Sequence, residues 1–199
     1  MPKKEDMGLY MGEIQTGVSF TTFMTVMTMF FIGLLLTRFE TFDPSVRIPV
    51  LFLVISTFGF LYSTLVYANA SGEITRFDSR RAMRYMFIGN VISEYLGVYM
   101  LVFALPLVIN AVTADLFLQY SVLIAALLGL ALYSRSPFSI ISRHMRGGKK
   151  LAFVSVVCAF DVALFLAQKG LLPYFTELSA TFIALMLLSA WRISKLEEE

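Results

Sequence analysis

Apolar residues along this chain run in long unbroken stretches rather than alternating at every second position. That is the pattern of helices, which satisfy their backbone hydrogen bonds internally in lipid, and not of a membrane barrel. Crossing a hydrocarbon core of ~30 Å takes ~20 mostly apolar residues at ~1.5 Å of rise each. Six stretches qualify: 18–37, 48–68, 85–111, 116–133, 151–168 and 178–191, the fourth and sixth being short. Pro44 and Pro49 frame the entry to the second span and Pro173 the approach to the sixth. Pro106 lies late in the third, where its missing N–H and bulky ring predict a kink or an end. The expected fold is all-α: a polytopic membrane protein built as a bundle of six transmembrane helices. No Ser/Gly-rich or low-complexity tract divides residues 1–199, so they read as a single transmembrane domain.

Composition agrees with the pattern. With 58% hydrophobic residues, 15% charged residues and a mean hydropathy of +0.76, the chain holds more apolar surface than one soluble core can bury. A net charge of +2 gives no reason to expect a nucleic-acid partner. The polar lead before Gly17 is too long for a signal peptide, so the first span is expected to be retained. Cys158, the single cysteine, excludes an intrachain disulfide and a multi-cysteine metal site.

The Lys and Arg positions predict orientation. Arg38, Arg47 and Lys169 are the only ones of the 16 expected on one side of the membrane, and the rest lie at the termini and in the second and fourth loops. Basic residues accumulate on the cytoplasmic side, so a multi-pass protein of the cell membrane with both termini cytoplasmic is expected. Arg76, Arg80, Arg81 and Arg84 before the third span, and Arg143, Arg146, Lys149 and Lys150 before the fifth, are placed to meet anionic lipid headgroups. The fourth loop mixes these charges with Phe138, Ile140, Ile141 and Met145, which reads as an interfacial segment that also carries His144. Short likenesses between the second and fifth spans, and between the ends of the first and fourth, raise the further expectation of two inverted three-helix halves.

Of the 14 acidic residues only Glu94 and Asp161 fall inside spans. Each is ten or eleven residues past a basic loop residue, Arg84 or Lys150. Both are therefore expected roughly 15 to 17 Å below the surface, at equal depth in helices running the same way. An ionisable group there costs at least ~2.5–3.5 kcal/mol unless paired, hydrated or protonated, which favours a charge-handling site. Asn90, four residues before Glu94, shares its helical face and is expected to assist. The alternative is that each acid is a protonated donor bonding a neighbouring helix.

Other polar positions follow helical spacing. Gly89, Ser93 and Gly97 form a small-residue row suited to close helix packing. Thr21, Thr25 and Thr28 form a hydroxyl stripe, and Ser56 and Ser63 flank Gly59. Both sets either line a polar path or bond carbonyls of the preceding turn and the next helix. No span contains histidine, so no metal or haem site is expected, and without a phosphate-binding glycine loop no nucleotide or other cofactor is expected either.

The reading that absorbs most of these features is a channel or secondary transporter for a cation, a proton or a small solute, not an enzyme. It would work in the bilayer as a homo-oligomer or as a subunit of a membrane complex. The alternative is a non-transporting scaffold, assembly factor or membrane subunit.

Overall fold

The computed structural model describes residues 4–76, 78–136, 139–145 and 147–195. Every regular element among them is helical. The order is α1 (Lys4–Leu36), 3-10 turns at Phe39–Thr41 and Pro44–Val46, α2 (Arg47–Thr75), α3 (Ser79–Ile92), a π-helical segment (Ser93–Val98), α4 (Tyr99–Val112), α5 (Leu116–Tyr133), α6 (Ile140–His144), α7 (Gly148–Gln168) and α8 (Phe175–Lys195). Because α3, the π segment and α4 follow without a break, the described residues contain six helices long and apolar enough to cross a membrane: Tyr10–Leu36, Pro44–Thr75, Arg80–Val112, Leu116–Tyr133, Gly148–Gln168 and Phe175–Lys195. The protein is a multi-pass, all-α membrane protein.

The observed helices are longer than the apolar stretches alone. α1 has 33 residues and α2 has 29, whereas α5 has 18. Links between α1 and α2, and between α4 and α5, are short and lie on one face. The surplus length of the first three spans, roughly 15 to 20 Å, therefore projects from the other face, which carries the Arg76–Arg84 and Lys149–Lys150 clusters. On this basic face Ile14, Tyr67, Ala70, Ile74 and Ala82 form a small second core that ties the projecting ends together. Pro49 falls in the first turn of α2, where its missing N–H leaves no bond unmade. Of the kink or end expected at Pro106, an end does not occur: Pro106 is buried within α4, which continues to Val112.

The main core runs through α2, α4, α7 and α8, where the rings of Phe103 and Phe182 stack at 3.9 Å and Phe52 and Phe160 pack on Phe182 at 5.9 and 5.8 Å. Around it Phe23, Phe117, Leu132 and Leu188 face outward, as lipid solvation permits.

The small-residue row is a packing seam. Gly59 lies so close to the π segment that a Cβ there would stand 2.6 Å from the backbone of Leu96, and a Cβ on Gly97 would meet the ring of Phe60. Ser56 Oγ donates to the Gly97 carbonyl at 2.8 Å and Ser63 Oγ to the Gly89 carbonyl at 2.6 Å, while Ser93 is buried beside them. The threonine stripe builds the neighbouring seam between α1 and α2. Thr21 Oγ1 and Thr64 Oγ1 are 2.7 Å apart, Thr57 Oγ1 donates to Thr28 Oγ1 at 2.9 Å, and Thr25 Oγ1 bonds the Thr21 carbonyl.

Candidate functional site

The third and fifth spans share a fixed register. Asn110 Nδ2 donates to Gln168 Oε1 at 3.0 Å, and Gln168 Nε2 donates to the Leu107 carbonyl at 3.0 Å and to Ser45 Oγ at 3.2 Å. Gln119 joins the same rung through the Thr113 carbonyl, and Lys169 Nζ donates to Gln119 Oε1 at 2.5 Å while lying over the rings of Tyr120 and Phe165. This rung closes the face opposite the basic one.

Depths follow by counting back from the rung. Asp161 is seven residues from Gln168, about 10 Å, whereas Glu94 is sixteen residues from Asn110, about 24 Å. The carboxyls are offset by roughly 13 Å along the helices. The aromatic contacts agree: Tyr95 and Tyr99 pack on Phe153 at 6.1 and 6.4 Å, and Phe153 precedes Asp161 by eight residues, about 12 Å of rise. The expected equal depth therefore does not hold, because α3 extends past the end of α5 on the basic face, where Tyr133 meets Glu94. Glu94 sits near the basic face, level with the end of α5. The structure does not bring Glu94 and Asp161 into one site.

Glu94 is 2% exposed and its carboxylate is fully engaged. Ile140 N donates to Oε2 at 2.6 Å and Ser139 Oγ to Oε1 at 2.9 Å, with the hydroxyls of Tyr133 and Tyr99 at 3.3 and 3.4 Å. The π turn, wider than an α turn, carries this carboxylate. Asn90 does not join it, since its Oδ1 accepts from Tyr67 Oη at 2.6 Å on the α2 side. The fourth loop also departs from expectation. Ser139, Ile140 and Ile141 are at most 1% exposed and the two isoleucines belong to the main core, so this part of the loop folds back into the bundle and not into the headgroups.

Asp161 is the opposite case. It is wholly buried at the level of the Phe103 and Phe182 stack, and both carboxyl oxygens lack a hydrogen-bond partner. Among the described residues the hydroxyl of Tyr95 is the only other buried side-chain polar atom without one. Buried polar groups are almost always paired, so an orphaned carboxyl deep in a membrane bundle marks a place whose chemistry the closed packing does not complete.

The basic residues spread over the projecting face. Arg76 pairs with Glu73 at 3.4 Å and Arg81 with Asp78 at 3.2 Å, Arg80, Arg84 and Lys149 are exposed, and Lys150 Nζ reaches Ser142 Oγ at 3.3 Å. Arg146 and the side chains of Arg143 and His144 lie outside the described residues. No group of three or more metal-ligating side chains occurs among the described residues.

The partners of Glu94 and the Gln119–Gln168 rung are what the sequence does not disclose. Tyr133 and Ser139 follow Glu94 by about forty residues, and only the register of α5 against the third span joins them. No protein-family description, curated protein or solved structure matches this chain, so its function is argued from its own residues.

Proposed function

We propose that this protein is a small channel or secondary transporter of the cell membrane for a cation, a proton or a small solute, with Asp161 as its charge-handling group. The observation that supports this reading is the complete burial of the Asp161 carboxyl without a partner. An ionised carboxylate in hydrocarbon costs ~2.5–3.5 kcal/mol or more. The group therefore carries a proton or a bound cation while the bundle is closed around it, and exchanges that charge when a path opens. The chemistry needs no catalytic step, and we propose no enzymatic activity. An even number of crossings and the distribution of Lys and Arg support both ends lying on the cytoplasmic side, with anionic headgroups against the exposed Arg80, Arg84 and Lys149.

The test is flux in proteoliposomes under an imposed pH or cation gradient. Asp161→Asn, nearly isosteric and unable to ionise, is expected to lower flux about a hundredfold while the protein still inserts and elutes as one species, a loss of the size that follows removal of an essential proton-transfer group. Flux at the parent rate in the Asp161→Asn protein would remove Asp161 from the mechanism.

A second reading has its own support. The projecting ends of α1, α2 and α3 have a separate small core on the basic face, which supports reading them as a platform on which a scaffold or a membrane subunit docks a partner. Recovery of a stoichiometric partner from native membranes, lost on truncation of α1 before Ile14, would favour it.

A further inference from the structure

Asp161 is the only polar side chain among the buried residues of α7. Val157, Leu164 and Phe165 share its face at helical spacing, and the next amide along that face is Gln168, seven residues on, which is already bonded to Asn110, Ser45 and the Leu107 carbonyl. What can neutralise the carboxyl depends on the oxygens and charges within its reach.

A metal cation that leaves water needs about six oxygen ligands in place of its hydration shell. Membrane bundles supply them where a helix is unwound or ends, because a carbonyl inside an unbroken helix is already taken. α7 runs without a break from Gly148 to Gln168 and α8 from Phe175 to Lys195, so neither offers free carbonyls near Asp161. The irregular turn of the third span, Ser93–Val98, carries Glu94 and lies about 13 Å nearer the basic face. In α4, Pro106 has no N–H to offer the Val102 carbonyl, which adds one oxygen at about the level of Asp161. The hydroxyls of Ser56, Ser63 and Ser179 are committed to main-chain carbonyls. Two carboxyl oxygens and one carbonyl make about half of a cation's shell.

Among the described residues no fixed charge stands in for the missing ligands. α4, α5, α8 and the π segment pack against α7. Of their titratable groups, Tyr95 and Tyr99 lie against Phe153, Tyr133 against Glu94 and Tyr120 against Phe165, while Glu177, Arg192 and Lys195 are exposed. On α7 itself Lys149 is exposed, Lys150 reaches Ser142, and Cys158, one turn before Asp161, is half-buried; just past its end Lys169 reaches Gln119. A proton is the counter-charge that needs no shell, since on either oxygen it leaves a neutral carboxyl, which costs far less in hydrocarbon than a charge does.

We infer that Asp161 is a proton site and not a metal-cation site, so that the charge this protein moves is the proton, alone or together with a neutral solute. The inference rests on the charge-handling reading of Asp161 given above and narrows its cargo.

The test is infrared difference spectroscopy of the full-length protein in proteoliposomes, which reads the C=O stretch of a protonated carboxyl. Labelling with carboxyl-carbon-13 aspartate separates Asp161 from Glu94. At neutral pH a protonated-carboxyl band is expected that moves down in the labelled protein and is lost in Asp161→Asn. It is expected to vanish and return as the bulk pH is raised and lowered, and to shift on exchange into heavy water. Sodium, potassium, magnesium and calcium ions, each added at fixed pH, are expected to leave it unchanged. Loss of the band on addition of any of these ions overturns the inference and leaves Asp161 as a charge-handling group with a different cargo. Absence of an aspartate band at neutral pH overturns it too, as does a band that neither titrates nor exchanges, the mark of a permanently protonated structural group. Parent-rate flux in Asp161→Asn instead removes the charge-handling reading itself, and this inference with it. Should Asp161→Asn not insert, Asp161→Glu, which displaces the carboxyl by one methylene, takes its place: a moved band supports the assignment, and an unmoved one overturns it.

Discussion

Two carboxyl groups of the same chemical class are treated oppositely by this fold. Glu94 receives a main-chain N–H and three hydroxyls, which make it a structural node. Asp161 receives nothing and is wholly buried. The contrast predicts opposite stability effects. Asp161→Leu removes an unsatisfied polar group of similar size, so it is expected to raise stability by about 1–3 kcal/mol while abolishing flux. Reversible unfolding in mixed micelles measures this, and a loss of stability in the leucine variant would show that Asp161 is paired in the folded state. Both acids are visible in the sequence as isolated charges in apolar spans. Which of them is satisfied is not, because the donors to Glu94 come from α5 and α6, and the absence of donors around Asp161 is a property of its neighbours.

At the scale of the helices, packing is decided by where small residues let backbones meet. Gly59 faces the π segment at a distance no side chain fits, whereas Gly33 has nothing within 4 Å. Gly59→Ala is therefore expected to destabilise the protein by about 1–3 kcal/mol through overpacking. Gly33→Ala is expected to be neutral or to stabilise by about 0.5–1 kcal/mol through better helix propensity. Unfolding midpoints of the two variants in the same detergent check the pair, and equal effects would mean that the α2 seam is not close-packed. The Gly89, Ser93 and Gly97 row announces such a seam in the sequence, and Ser56 and Ser63 prove to be its hydrogen-bonding members. The π turn that shifts Glu94 is not announced, since nothing in Ser93–Val98 differs in composition from an ordinary helix. Pro106 allows either a kink or an end by its local chemistry, and the end is the outcome that does not occur, since the helix runs on to Val112 with the proline buried.

For the whole molecule, the asymmetry between the faces matters most. The rung of Ser45, Asn110, Gln119, Gln168 and Lys169 connects the second to fifth spans where they end. Gln168→Leu strips Asn110 Nδ2 of its acceptor and the Leu107 carbonyl of a donor. It is expected to cost about 1–3 kcal/mol, read as a lower melting temperature of the purified protein. An unchanged melting temperature would mean that the brace carries no stability. The projecting ends of α1, α2 and α3 give the basic face its own small core, and α6 fits beneath the short α5 on that same face.

The number of spans and their places along the chain follow from the sequence by itself, because a membrane helix satisfies its own backbone and needs only enough consecutive apolar residues to reach across lipid. The class of residue that packs, Gly and Ser at helical spacing, is local information of the same kind. Register is not. The depth of Glu94, its separation from Asp161, the inward fold of Ser139 and Ile140, and the meeting of Asn110 with Gln168 depend on how far one helix slides against another. That sliding is settled by contacts between residues tens of positions apart, whose joint energy no single stretch of sequence contains.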